Sequence, residues 1–229
     1  MIIALNNKSN LNKNEFINYL KELEDINYNK IILCPTHINI PLFNSENVEL
    51  GSQNVSKYEV GAHTGEVSAS ILKSYGVKYS IVGHSERRED GESLIDTNEK
   101  IKRLLEQDIT PILCVGETKD QRENGTYLDY ILIELKEATK DLTDEEINRI
   151  IIAYEPIYSI GTGIIPTNEK IEEVITKIKE KYQNKVLYGG SVNEENISTI
   201  NTISTIDGYL LGGISLKTNN LKELIKIIK

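Results

Sequence analysis

The chain has 229 residues, 39% of them hydrophobic and 27% charged, which suits one large globular domain with a solvated exterior. Its net charge of −9 argues against a general affinity for nucleic acid or membrane surfaces, yet leaves room for a small anion held by local lysines and backbone N–H groups. No apolar run approaches membrane-spanning length and the first residues lack a signal-peptide layout, so the cytoplasm is the expected compartment.

Short apolar runs predict strands near residues 2–6, 31–34, 47–51, 79–83, 110–115, 150–154, 185–188 and 206–211. Amphipathic stretches lie between them. Phe16, Leu20 and Leu23 recur at helical spacing, as do Ile71, Leu72 and Tyr75, then Ile101, Leu104 and Leu105, then Ile171, Val174, Ile175 and Ile178. Thr143 with Glu146, and Ser191 with Glu194, each fit a capping box at a helix start. Eight strand–helix alternations favour a closed (β/α)₈ barrel over an open sheet, with residues 1–229 forming one domain. No linker, low-complexity segment or second domain is visible. Cys34 and Cys114 each lie inside an apolar run, which predicts reduced, buried thiols. Sequons at Asn7, Asn54, Asn124 and Asn196 read as chance in an Asn-rich chain without an export signal.

The polar residues gather where such barrels do chemistry, at the C-terminal ends of strands. Strand one ends in Asn6-Asn7-Lys8, and strand four in His84-Ser85-Glu86-Arg87-Arg88. Strand five ends at Glu117, strand seven in Gly189-Gly190-Ser191, and strand eight in Gly212-Gly213. In IIIAYEPIYSIGTG (150–163), a buried strand delivers the carboxylate Glu155 beside a glycine loop that can approach a ligand closely. Together these supply a base, an electrophile, a cation and a phosphate cradle.

The blocks GSQNVS (51–56), GAHTGEVSASILKSYG (61–76), IVGHSERR (81–88), ILCVGET (112–118), AYEPIYSIGTG (153–163), YGGSV (188–192) and DGYLLGG (207–213) give the chain a strong resemblance to the triosephosphate isomerase family over nearly its full length. The resemblance implies interconversion of dihydroxyacetone phosphate and D-glyceraldehyde 3-phosphate, the task of glycolysis and gluconeogenesis, through an enediolate. Glu155 would be the base, and a neutral His84 would polarise the carbonyl. Its place at a helical start supplies dipoles that disfavour imidazolium. Lys8 would stabilise the enediolate oxygen, Asn6 would position it, and Glu86 would bridge from His84 toward Lys8. Gly161, Ser191, Gly212 and Gly213 would hold the phosphate. Neither a metal nor an organic cofactor is implied. The expected partner is a small phosphorylated triose, within a homo-oligomer, most simply a dimer and alternatively a tetramer.

Each residue has a plainer reading. Lys8 could be a surface lysine, His84 a satisfied core histidine, and Glu155 an ion-pair partner. His37 and His63 match no catalytic position and read as structural, as do Arg87, Arg88 and Cys114. Against the usual family signature Asn-Trp-Lys-Met-Asn, this chain has Asn6-Asn7-Lys8-Ser9-Asn10, and Tyr158 stands where the lid's tryptophan is usual. In the lid, residues 156–166, the hinge Ile164-Ile165-Pro166 would deny Tyr188 a backbone donor. A compact chain with a shortened helix after the lid resembles archaeal members, whereas IVGHSERR resembles bacterial and eukaryotic ones. Two other functions stay open: a sugar-phosphate epimerase on a phosphate-binding barrel, and a barrel kept as a binding module without catalysis.

Overall fold

A computed structural model describes residues 1–28, 30–159 and 165–228. Eight parallel strands close into a barrel in chain order: β1 (Ile2–Asn6), β2 (Ile31–Cys34), β3 (Val48–Ser52), β4 (Tyr79–Val82), β5 (Thr110–Val115), β6 (Ile151–Tyr154), β7 (Val186–Tyr188) and β8 (Gly208–Leu211). All eight expected strands form, each within two residues of the boundaries read from the sequence. Ile2 pairs with Gly208, and Leu5 with Leu211, to join the first strand to the last. A Cβ at Gly208 would lie 2.0 Å from the Ile2 carbonyl oxygen, so closure there needs glycine.

The strands are continuous apolar runs because both of their faces are buried. Along β1, Ile2 and Ala4 point into the barrel with Ile32, Ile81, Ile112, Leu187 and Leu210. Ile3 and Leu5 point outward into the larger layer between barrel and helices. That layer takes Phe16, Leu20 and Leu23 from α1 (Lys13–Glu24), Ile101, Leu104 and Leu105 from α4 (Leu94–Glu106), and Ile171, Val174, Ile175 and Ile178 from α8 (Asn168–Lys181). Each such side chain contributes about 1.5–3 kcal/mol on burial. The remaining helices are α2 (Ala69–Ser74), α3 (Ser85–Glu89), α5 (Lys119–Glu123), α6 (Tyr127–Ala138), α7 (Asp144–Asn148), α9 (Ile197–Ile200) and α10 (Thr218–Ile228).

Three local expectations meet the structure differently. Thr143 and Glu146 do form the capping box that starts α7. Ser191 and Glu194 do not: the Ser191 hydroxyl donates to the Ser159 carbonyl at 2.6 Å, and α9 begins after an Asn193–Asn196 turn. In α2, Leu72 is buried, but Ile71 and Tyr75 remain exposed, so only part of that apolar stripe serves this core. The helix after the lid, α8, has 14 residues and is the longest described.

Candidate active site

The C-terminal ends of β1, β4, β6, β7 and β8 surround one cavity of about 370 Å³. Asn6, Lys8, His84, Glu155, Ser191, Gly212 and Gly213 all line it, together with Gly189 and Gly190. Glu86 lies just outside and reaches the group through Lys8. Gly161 falls outside the described residues.

Alternation along β1 turns Asn6 toward the barrel axis, where its Oδ1 accepts the Lys8 N–H at 3.1 Å. Lys8 follows in a left-handed conformation, φ 51°, which ends the strand and swings the side chain across the mouth. Its Nζ lies 2.5 Å from Glu86 Oε1, so the Glu86–Lys8 bridge forms. Gln53 fixes this corner, donating to the carbonyls of Lys8 at 2.9 Å and Cys34 at 3.0 Å. Its side-chain reach is tertiary and had no signal in spacing.

At the end of β4, Gly83 adopts φ 65° and turns the chain into α3. His84 is the N-cap of α3, and its Nδ1 accepts the Glu86 N–H at 3.3 Å. A neutral ring so held carries its proton on Nε2, which points at Glu155 Oε1, 3.3 Å away. Glu155 is only 2% exposed, and its second oxygen has no hydrogen-bond partner among the described residues. Gly189 makes room for it: a Cβ there would stand 2.8 Å from Glu155 Cγ.

The field around His84 differs from the expectation of a ring kept neutral by helix dipoles alone. Burial does disfavour imidazolium, but the Glu155 carboxylate and then Glu86 outweigh burial and the opposing Lys8 charge, raising the ring's pKa above the usual histidine value. Burial likewise opposes ionisation of Glu155. The His84 ring, Arg88 and the Cys114 thiol more than offset it and hold the carboxyl below its ordinary range. In the unliganded site the two groups therefore favour each other's charged form.

Ser191 lines the cavity, yet its N–H is directed at Ser159 Oγ, 3.4 Å away. An anion claiming that N–H must displace Ser159. Glu117 turns away from the mouth into a cluster with Arg122, at 2.6 Å, and Tyr154, at 3.1 Å. Arg88 is paired with buried Glu134, and His37 Nε2 meets the Asn54 carbonyl at 2.8 Å. His63 stacks on Tyr58 with ring centroids 3.9 Å apart. Both thiols are free and buried, and burial pushes Cys34 up to about 12. Among the described residues no cluster of His, Cys, Asp and Glu is arranged to hold a metal ion. No described helix is long and apolar enough to cross a membrane.

The family model described as triosephosphate isomerase matches residues 1–228. The chain belongs to the triosephosphate isomerase family. It is 37% identical to a triosephosphate isomerase of Endomicrobium trichonymphae, covering 100% of this chain and 98% of that one. A triosephosphate isomerase of Cytophaga hutchinsonii is 36% identical, with 98% of each chain covered. One from Mesomycoplasma hyorhinis is 39% identical over 97% of this chain and 95% of its own. Family membership thus rests on the whole barrel and not on a single motif.

Proposed function

We propose that Glu155, His84 and Lys8 carry out the reaction that family membership gives this chain, the interconversion of dihydroxyacetone phosphate and D-glyceraldehyde 3-phosphate. The observation that carries the reading is their convergence, with Asn6, on one cavity whose facing wall is glycine backbone. Glu155 removes a proton from the carbon beside the carbonyl, and the electron pair moves onto the carbonyl oxygen. His84 Nε2–H and the Lys8 ammonium meet the negative charge that develops there. Through Nε2, His84 gives a proton to that oxygen and takes the one on the neighbouring hydroxyl, so the negative charge passes to the second oxygen. The protonated Glu155 then returns its proton to the former carbonyl carbon as the new carbonyl forms at the other carbon. The unpartnered Glu155 oxygen supports the role of base, since a carboxylate with a free lone pair is ready to accept a proton.

Gly212 and Gly213 bind the phosphate through backbone N–H groups, joined by Ser191 once Ser159 withdraws and by Gly161. Asn6 positions Lys8, and Glu86 keeps the ammonium at the mouth. The substrate's carbonyl acidifies its own α-hydrogen, so this sequence of steps calls on no cofactor. The chain works in glycolysis and gluconeogenesis in the cytoplasm, as a homodimer. The exposed loop Tyr58–Glu66, with Tyr58 and Val60 displaying apolar surface, supports an interface there. The segment Gln53–Glu66, of which this loop is part, resembles the family segment that reaches into a neighbouring subunit, and Thr64 in its exposed turn would contact the Asn6–Lys8 corner of a second copy.

Supplying D-glyceraldehyde 3-phosphate and trapping dihydroxyacetone phosphate with an NADH-linked dehydrogenase tests the activity. Steady NADH loss that depends on the protein is expected, and its absence rejects the reading.

A further inference from the structure

Glu134 is a carboxylate in a position where packing favours an apolar side chain. The buried face of α6 runs Ile131, Glu134, Leu135 and Ala138, the spacing of a helix stripe turned to the core, and Glu134 is 1% exposed within it. A charge there costs free energy that leucine would avoid, unless both of its oxygens are held. Both are. Oε1 pairs with the Arg88 guanidinium, and Oε2 accepts the Gly116 N–H at 2.9 Å.

Those two partners belong to the elements that carry His84 and support Glu155. Arg88 stands on α3, whose N-cap is His84, and its N–H donates to the His84 carbonyl at 3.1 Å. Gly116 follows β5 and lies flat against the main chain of Glu155. A Cβ at Gly116 would fall 1.7 Å from the Glu155 carbonyl oxygen and 2.6 Å from its carbonyl carbon. One residue earlier, the Val115 carbonyl accepts the Glu155 N–H at 2.8 Å. The main chain of Glu155 therefore rests on the end of β5, as its side chain rests on Gly189. Any shift of Gly116 is passed to it.

We propose that Glu134 is a positioning residue for Glu155: its hold on the Gly116 N–H, anchored by Arg88, fixes the strand end against which Glu155 lies. Glu134 itself stands outside the cavity and acts only through that backbone contact. The inference rests on the assignment of Glu155 as the base. A charged hydrogen bond defines a backbone position more sharply than apolar contact does, and a base must be held to a fraction of an ångström. Loosening it slows the chemical step. Binding of substrate is spared, because the phosphate cradle belongs to the ends of β7 and β8.

Steady-state kinetics with D-glyceraldehyde 3-phosphate and melting curves are measured for Glu134→Leu, Glu134→Asp and Glu134→Gln. Leucine fills the space without an acceptor, and aspartate keeps the charge but falls a methylene short of Gly116. Both should lower kcat about tenfold with KM within about twofold. Glu134→Gln still offers an oxygen to the Gly116 N–H and should keep kcat within about threefold, although it melts lower because Arg88 loses its charged partner. A merely structural role would lower the melting temperatures and leave kcat alone in all three, and that result overturns the proposal. A loss in Glu134→Gln as large as in Glu134→Asp also overturns it. If Glu134→Leu does not fold, Glu134→Asp carries the test, and wild-type kcat in that variant rejects the inference. On a Glu155→Gln background, Glu134→Asp should cost no further rate, since it acts through the base, and a second tenfold loss rejects it. Glu155→Gln as fast as wild type would reject the base and this inference with it, whereas its collapse beside unchanged Glu134 variants rejects the inference alone.

Discussion

Glu155 Oε1 sits 3.3 Å from His84 Nε2, and both side chains are almost entirely withdrawn from water. Their fields reinforce one another, lowering the Glu155 pKa and raising that of His84. The Glu155 contribution to stability is present above its ordinary value of 4.5 and is lost as pH falls through its lowered folded value. The His84 contribution is present below 6.5 and is lost as pH rises through its raised folded value. The pair thus stabilises most between these ordinary values. His84→Gln should lose more thermal stability against wild type at about pH 5.5 than at about pH 9. Melting curves at both values check this, and an equal loss at the two would show that the pair carries no charge.

Gly189 determines whether Glu155 can occupy its position. A Cβ there would press 2.8 Å from Glu155 Cγ and 3.4 Å from Oε1. Gly189→Ala should displace the carboxylate by a fraction of an ångström to an ångström, and turnover should fall on the order of 100-fold, because proton transfer needs close reach. Steady-state kinetics beside a melting curve separate this from unfolding. Turnover within threefold of wild type in a folded variant would mean that Glu155 has slack.

The Tyr188 hydroxyl is buried and has no hydrogen-bond partner among the described residues, although Ser159 helps its ionised form. Ile164, part of the hinge where a donor is usual in the family, falls outside the described residues, and Pro166 has no N–H to give. Deleting an unpartnered hydroxyl costs little, within about 1 kcal/mol. Tyr188→Phe should therefore keep turnover and phosphoglycolate affinity within about twofold. A tenfold loss in either would show that Tyr188 has a working partner.

The exposed apolar side chains Tyr58 and Val60, and beyond them Ile71 and Tyr75 of α2, fit an interface between copies of this chain. Light scattering should find a dimer, and Val60→Asp should weaken it and make specific activity fall on dilution. A fully active monomer at assay concentration would contradict the proposed assembly. A tetramer would contradict the dimer and extend the interface to a second face.

The strands were legible because burial on both faces leaves an uninterrupted apolar run, and the site residues were legible because each sits at the end of such a run. Ile71 and Tyr75 misled for a related reason: an apolar stripe does not say whether its cover comes from the same chain. Ser191 misled because Ser and Glu three apart form a cap only if the hydroxyl turns toward the helix N–H groups, and here it turns away to donate to the Ser159 carbonyl. The charge balance at His84 was hidden because its main opponent, Glu155, arrives from another strand. Gly189 looked like part of a phosphate loop, and only the packed barrel shows it as the space that Glu155 fills.

Proton transfer through Glu155 is the centre of the account, and deuterium reports it directly. D-glyceraldehyde 3-phosphate is turned over in D₂O by wild-type protein and by Glu155→Gln, with the product followed by proton NMR. A carboxyl that takes a proton and exchanges it with solvent leaves deuterium on the product carbon. Wild type should form dihydroxyacetone phosphate carrying deuterium at the carbon that receives the proton, and Glu155→Gln should slow its formation by at least about 100-fold. Rapid formation by Glu155→Gln, or a wild-type product wholly free of deuterium, would contradict it.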